Sequence, residues 1–212
     1  MNGTNAYDWI VGFSDRFAGA QEQLSDLDRQ LGDGDFGTNI ASALTRVDQA
    51  LPSRSDASPR AVFTAVSTGF LATGGTSGPL FGMFFREMSN AFDSDELTVE
   101  ALARGVANGL AAVERLGKAA VGDATMVDAI SPAADALGAL AGSDCTTERA
   151  LHEAATAARA GAQSTADIVA ARGRASYVGE LGRGVLDPGA AMVAMFFEAG
   201  AVMAGGEVPA RT

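Results

Sequence analysis

The chain has 212 residues, 47% hydrophobic and 19% charged, a composition that can bury a sizeable core and is globular rather than disordered. Its net charge of -11 and pI near 4.4 exclude a nucleic-acid or anionic-membrane surface, which would need clustered Lys and Arg. Cys145 is the single cysteine, so no internal disulfide can form and a reducing compartment is expected.

Alanine and leucine dominate and no window alternates with period two, so the chain reads as all-α. Trp9, Phe13 and Phe17, followed by Leu24 and Leu27, predict a first amphipathic helix over about 5–26. Ile40 and Leu44 share a face of a second, about 37–51. Pro59 and Pro79 suit the first turns of a third (about 59–72) and a fourth (about 79–92). Thr98 with Glu100 opens a fifth to about 116, and Thr125 a sixth to about 141 despite Pro132. A seventh runs from about Thr147 to Ala171, and an eighth from Pro188 to the Gly205-Gly206 pair. The tail EVPART reads as a frayed end or a fusion boundary. MNGTNAYDWI lacks the features of a signal peptide. The most apolar late segment, AAMVAMFFEAGAVMAGG, carries Glu198 and falls short of the ~18 residues of a membrane span. The expectation is one cytoplasmic domain over 1–212, with neither a membrane nor a nucleic acid as partner.

The connections fall into two kinds. PSRSDAS, DSDEL and GSDCT are ordinary polar turns, whereas DRQLGDGDF, TGGTSG, GKAAVGDA and RGRASYVGELGRGVLD are glycine-rich. If the eight helices alternate up and down in an antiparallel bundle or barrel, every odd-to-even connection lies at one end. The four glycine-rich loops then converge on one rim.

Their chemistry points to a hard cation beside an anion. LDRQLGDGDFGTN crowds Asp28, Asp33 and Asp35 among three glycines with a single Arg, and carboxylates this close repel unless a cation joins them. Three carboxylates suit Mg²⁺, which keeps phosphate and water oxygens in its shell. GGTSGPLFG supplies exposed backbone N–H groups at a helix start, which suit phosphates. Competing motifs fail. Gly32-x-Gly34-x-x-Gly37 follows a polar helix rather than a strand, and Asp33 and Asp35 would face a pyrophosphate. An EF-hand would need a Glu where Leu44 stands. One His and one Cys cannot build a zinc cluster or a Ser-His-Asp site. Capping or turn-shaping aspartates are the bland alternative.

GDGDFGTN, GGTSGPLFG, GKAAVGDATMVDAISPA, GRASYVGE and LDPGA occur in the order and spacing of a known family. The chain resembles the nucleotide-binding (DhaL-type) subunit of dihydroxyacetone kinase over about residues 5–204. The resemblance implies an eight-helix antiparallel barrel that binds ADP or ATP at one rim through two Mg²⁺ ions held by Asp28, Asp33 and Asp35. It implies nucleotide contacts at Phe36, Gly37, Thr38 and Asn39, at Thr76 and Ser77, and at Gly117 and Met126. Arg174 and the segment Asp187, Pro188 and Gly189 complete the implied set. Many members carry His where Phe36 stands, so any polar role of that histidine is absent here. The implied activity is phosphotransfer to a small hydroxyketone, dihydroxyacetone or a related triose or tetrose, held by a partner subunit. Free ATP and a phosphocarrier protein are both compatible donors, and a homodimer stays open. A regulatory or adaptor module controlled by nucleotide occupancy is the alternative.

Overall fold

The four-residue spacing of Trp9, Phe13 and Phe17 builds a helix longer than expected. α1 spans Gly3–Leu31, because Leu24 and Leu31 prolong the buried stripe and the helix carries Gly12 and Gly19 without a break. Asp28 therefore sits in its last turn rather than in a loop. The structure is a computed structural model and describes residues 3–205, with side chains from Asn5 on; the side chain of Arg174 and the tail EVPART lie outside the described residues.

Among the described residues seven further helices follow: α2 Phe36–Ala50, α3 Pro59–Leu71, α4 Ser77–Ala91, α5 Val99–Gly117, α6 Met126–Leu140, α7 Thr147–Ser164 and α8 Pro188–Met203. The all-α expectation holds, with no β-strand among the described residues. Side-chain oxygens close several N-termini: Ser58 accepts from the Ala61 N–H, Thr98 from Ala101, Thr146 from Arg149 and Asp187 from Ala190. Pro132 lies inside α6 without ending it, and packs beside Gly161 of α7, where any Cβ would collide with it.

Two boundaries differ from expectation. α4 starts at Ser77, ahead of Pro79, whose missing N–H falls in the first turn where no helical acceptor exists. α7 stops at Ser164 instead of about 171. The Thr165 hydroxyl donates back to the Ala162 carbonyl at 2.6 Å and accepts the Asp187 N–H at 3.0 Å, so the chain turns off towards α8. Three short 3₁₀ turns, Thr165–Asp167, Arg174–Tyr177 and Gly179–Gly182, occupy the long connection.

Each helix packs on the next, and α8 returns against α1 to close the ring. The expected eight-helix barrel is thus the observed one. α8 is apolar on nearly every side, and its Phe196 lies at the centre of the aromatic core. The Phe196 ring stacks on Trp9 with centroids 4.6 Å apart and meets Phe85 and Phe197 edge-on, each at 5.1 Å. Its backbone carbonyl accepts the Trp9 indole N–H at 2.7 Å, so the seam between the first and last helices carries a buried hydrogen bond. Glu198, the one charge in this apolar run, is met by Arg159 at 2.6 Å and Arg16 at 3.5 Å.

The even-to-odd loops form an ordinary polar end. Arg60 reaches Asp93 at 3.2 Å, the Gly142 N–H donates to Glu100, and the Thr147 hydroxyl donates to the Leu97 carbonyl. No helix among the described residues is long and apolar enough to cross a membrane. Because Phe196 ties α8 to α1, α3 and α4, Phe196→Ala should cost roughly 3–5 kcal/mol, read as a fall in the urea midpoint at unchanged slope.

Candidate functional site

The first glycine-rich loop is built to hold carboxylates together. The Gly32 N–H closes on the Asp28 carbonyl at 2.6 Å and ends α1. Gly34 adopts φ +76, a left-handed conformation that only glycine takes without strain, and a Cβ there would strike the Arg29 side chain. One oxygen from each of Asp28, Asp33 and Asp35 lies within 4.8 Å of the others. The bland alternative holds for one of the three: Asp28 Oδ2 accepts the Phe36 N–H at 2.9 Å, the first orphan donor of α2. Its capping form fails for Asp35, which occupies the N-cap of α2 yet makes no side-chain capping hydrogen bond.

The second loop packs against the first. Gly75, at φ +79, lies under the Asn39 amide, 2.9 Å from where a Cβ would stand. Thr76 precedes α4 without a side-chain cap, so the first N–H groups of a 15-residue helix open beside Asn39 with the positive end of the helix dipole.

The third loop owes its shape to one buried carboxylate. Asp128, 4% exposed, accepts the Gly122 N–H on one oxygen at 2.6 Å and the Thr125 N–H on the other at 2.8 Å. With Thr125 it forms a reciprocal capping box at the start of α6. Ala124 between these anchors is held at φ +55, and Lys118 at φ +52 caps α5. The fourth loop is clipped to the third where the Ala171 N–H meets the Asp123 carbonyl at 3.1 Å. Arg183 braces the fourth loop internally, to Glu180 and to the Asp167 carbonyl.

The four loops surround one cleft of about 840 Å³ of empty space, part of it open to solvent. The convergence inferred from helix parity is therefore observed. Asp28, Asp33 and Asp35 line the cleft, as do Phe36, Asn39, Thr76 and Ser77 from the first two loops. Met126, Asp187, Pro188 and Gly189 line it from the other side. Gly37 does not; it is buried where α2 closes on Ser25 of α1. Thr38 points to solvent, and Gly117 stands behind Leu80. The position of the Arg174 side chain lies outside the described residues. Sequence reasoning missed Leu31, Leu80 and Phe81, an apolar wall, and Thr125 and Arg172, which line the cleft from the third and fourth loops.

Acids also crowd the far side of the cleft. Asp187 is pushed up to about 7, first because its carboxyl is enclosed, with the charges of Asp128 and Asp28 adding to the shift. The N–H groups of Ala190 and Gly189 pull it the other way. Oxygen donors alone, with flexible access from the cleft, fit a hard divalent cation such as Mg²⁺ and not a soft one.

The DAK2 domain family matches residues 30–201. The chain belongs to that family. It is 38% identical, over 90% of its own length and 91% of the relative's, to the ADP-binding subunit DhaL of PEP-dependent dihydroxyacetone kinase 1 from Listeria innocua. The corresponding Escherichia coli subunit is 35% identical over 91% of this chain and 93% of its own. A solved dihydroxyacetone kinase of C. freundii, in complex with AMP-PNP and Mg²⁺, superposes with a TM-score of 0.66 at 29% identity. That match covers 94% of this chain but only 33% of the solved one. The resemblance to DhaL-type subunits read from five sequence blocks is borne out.

Within the cleft, Asp128 sets the third loop. Asp128→Asn keeps the shape but offers one acceptor oxygen to two N–H donors and turns an NH₂ on the second. The substitution should destabilise the ligand-free protein by about 1–3 kcal/mol, measured by chemical denaturation, while Asp135→Asn on the same helix should leave it within about 0.5 kcal/mol.

Proposed function

We propose that the chain is the nucleotide-binding subunit of a dihydroxyacetone-type kinase. In this reading it holds ADP or ATP in the four-loop cleft and passes a phosphoryl group to a small hydroxyketone presented by a separate subunit. The observation that carries the reading is the meeting, in one cleft, of three clustered carboxylates and the uncapped start of α4. Carboxylates bring cations and a helix N-terminus brings donors, and a polyphosphate needs both. The DhaL relatives, named as ADP-binding subunits, and the fold neighbour solved with AMP-PNP and Mg²⁺ support the same ligand.

In the mechanism, Asp28, Asp33 and Asp35 would hold two Mg²⁺ ions, and the Asp28 bond to the Phe36 N–H fixes the first of these side chains. Bound Mg²⁺ supplies charge neutralisation of the β- and γ-phosphates and alignment of the phosphoryl group. Thr76 and Ser77 offer backbone N–H groups to phosphate oxygens, and Asn39, braced over Gly75, joins the first loop to this donor set. Leu31, Leu80, Phe81 and Met126 give an apolar wall for the base. The chain's own contribution is positioning and electrostatic stabilisation, and the acceptor hydroxyl comes with the partner. A cytoplasmic setting and rephosphorylation of bound ADP by a phosphocarrier protein complete the reading.

The partner has to dock over the cleft end. Tyr177 and Leu181, 90% and 88% exposed, belong to the fourth loop, and the exposed Val121 belongs to the third; both loops line the cleft. Tyr177→Ser with Leu181→Ser should weaken association with the hydroxyketone-binding subunit at least tenfold in a pull-down or titration, as loss of two anchors does. Asp95→Lys at the opposite end should change it less than twofold. Equal losses at both ends would reject the docking geometry.

The metal assignment has its own test. Mg²⁺ with ADP should raise the melting temperature by mass action, and EDTA should abolish the ADP effect. Asp33→Asn should lose most of that shift and of the phosphotransfer measured with the partner and dihydroxyacetone. Its ligand-free stability should stay level or rise, since one repelling charge is gone. A wild-type-sized ligand shift in Asp33→Asn would remove Asp33 from the metal site.

A further inference from the structure

Arg172 is the only cationic side chain among the described residues that line the cleft, and it shares that cleft with Asp28, Asp33, Asp35 and Asp187. Its Nε lies 3.6 Å from Asp123 Oδ2, too far for a good hydrogen bond, and the side chain is 54% exposed. The pair is therefore weak and easily exchanged. Asp123, by contrast, is anchored. The same Oδ2 accepts the Ala120 N–H at 2.9 Å, and the Asp123 carbonyl accepts the Ala171 N–H at 3.1 Å. The backbone just before Arg172 and the carboxylate it leans on are thus fixed, and only the long side chain between them is free to change partner.

We propose that Arg172 is a phosphate-contacting residue of the cleft, parked on Asp123 until the phosphates of a nucleotide take it over. The proposal rests on the nucleotide reading above. A nucleotide brought in with cations at the three aspartates fills the cleft with further phosphate oxygens. A guanidinium meets such oxygens with two parallel N–H···O bonds, a match that the loose contact to Asp123 does not offer. Asp123 then competes with the ligand: the fraction of molecules with Arg172 parked lowers the apparent affinity by that fraction.

Competition gives the two ends of one ion pair opposite effects. Calorimetric titration with Mg²⁺·ADP would be run on the wild type, Arg172→Ala, Asp123→Asn and the double variant, each checked for folding by its ligand-free melt. Arg172→Ala should weaken binding by about tenfold to a hundredfold, the range for losing a charge-assisted hydrogen bond. Asp123→Asn keeps an oxygen for the Ala120 N–H but drops the charge, and should tighten binding by about two- to fivefold, with the gain gone in the double variant. If the pair only braces two loops, both single variants break it and both shift Kd the same way. Same-direction shifts, or Arg172→Ala within twofold of wild type, overturn the proposal while leaving the nucleotide reading intact. A wild type that binds no Mg²⁺·ADP overturns the nucleotide reading itself, and this proposal with it.

Discussion

Three carboxylates that repel one another are kept within 4.8 Å, and the cleft end is arranged around that constraint. Flexible side chains on a mobile loop would spread apart, so the backbone has to impose the cluster. α1 does so by running on to Leu31, the last residue of its buried stripe, and the left-handed Gly34 reverses the chain at once into α2. Asp28 is steadied by the Phe36 N–H, a donor that the helix could not otherwise satisfy. In the proposed reading that repulsion is what a cation would relieve, and the helices around it supply the stability that the loop itself lacks.

The same division runs through the molecule. Folding energy is concentrated in the aromatic core around Phe196, and the polar end is tied by exposed ion pairs of small individual worth. The cleft end instead carries the features that cost stability. Ala124 and Lys118 are held in left-handed backbone, Asp187 is enclosed near two other acids, and Tyr177 and Leu181 face solvent. These liabilities gather at one end because odd-to-even connections gather there.

Much of this was legible from the residues. The period of Trp9, Phe13 and Phe17 gave a helix, Pro59 and Thr98 gave starts, and the glycine content of alternate loops gave the rim. The remainder depended on contacts between distant residues. α7 ends at Ser164 because Thr165 binds the N–H of Asp187, 22 positions away, which no local pattern reveals. Leu80 and Phe81 look like core filler because an apolar helix face reads alike whether it meets another helix or a cleft. Thr38 and Asn39 are adjacent in sequence, yet a step of about 100° on α2 sends one to solvent and the other over Gly75. Arg172 went unnoticed two residues from Arg174, since only the clip between Ala171 and Asp123 places it at the wall.

The up-and-down path has a consequence for covalent architecture. α1 ends at the cleft and α8 begins there, so Gly3 and Met203 both emerge at the far end of the barrel. A domain tethered beyond Met203 would have to travel back along a helix of 16 residues, roughly 24 Å, and one tethered beyond Gly3 along the longer α1, before it could deliver a substrate to the mouth. At about 3.3 Å per extended residue, a tether of fewer than about seven residues could not span that distance. Short fusions at these points hold their cargo away from the cleft, and only a long tether or a free partner can reach it.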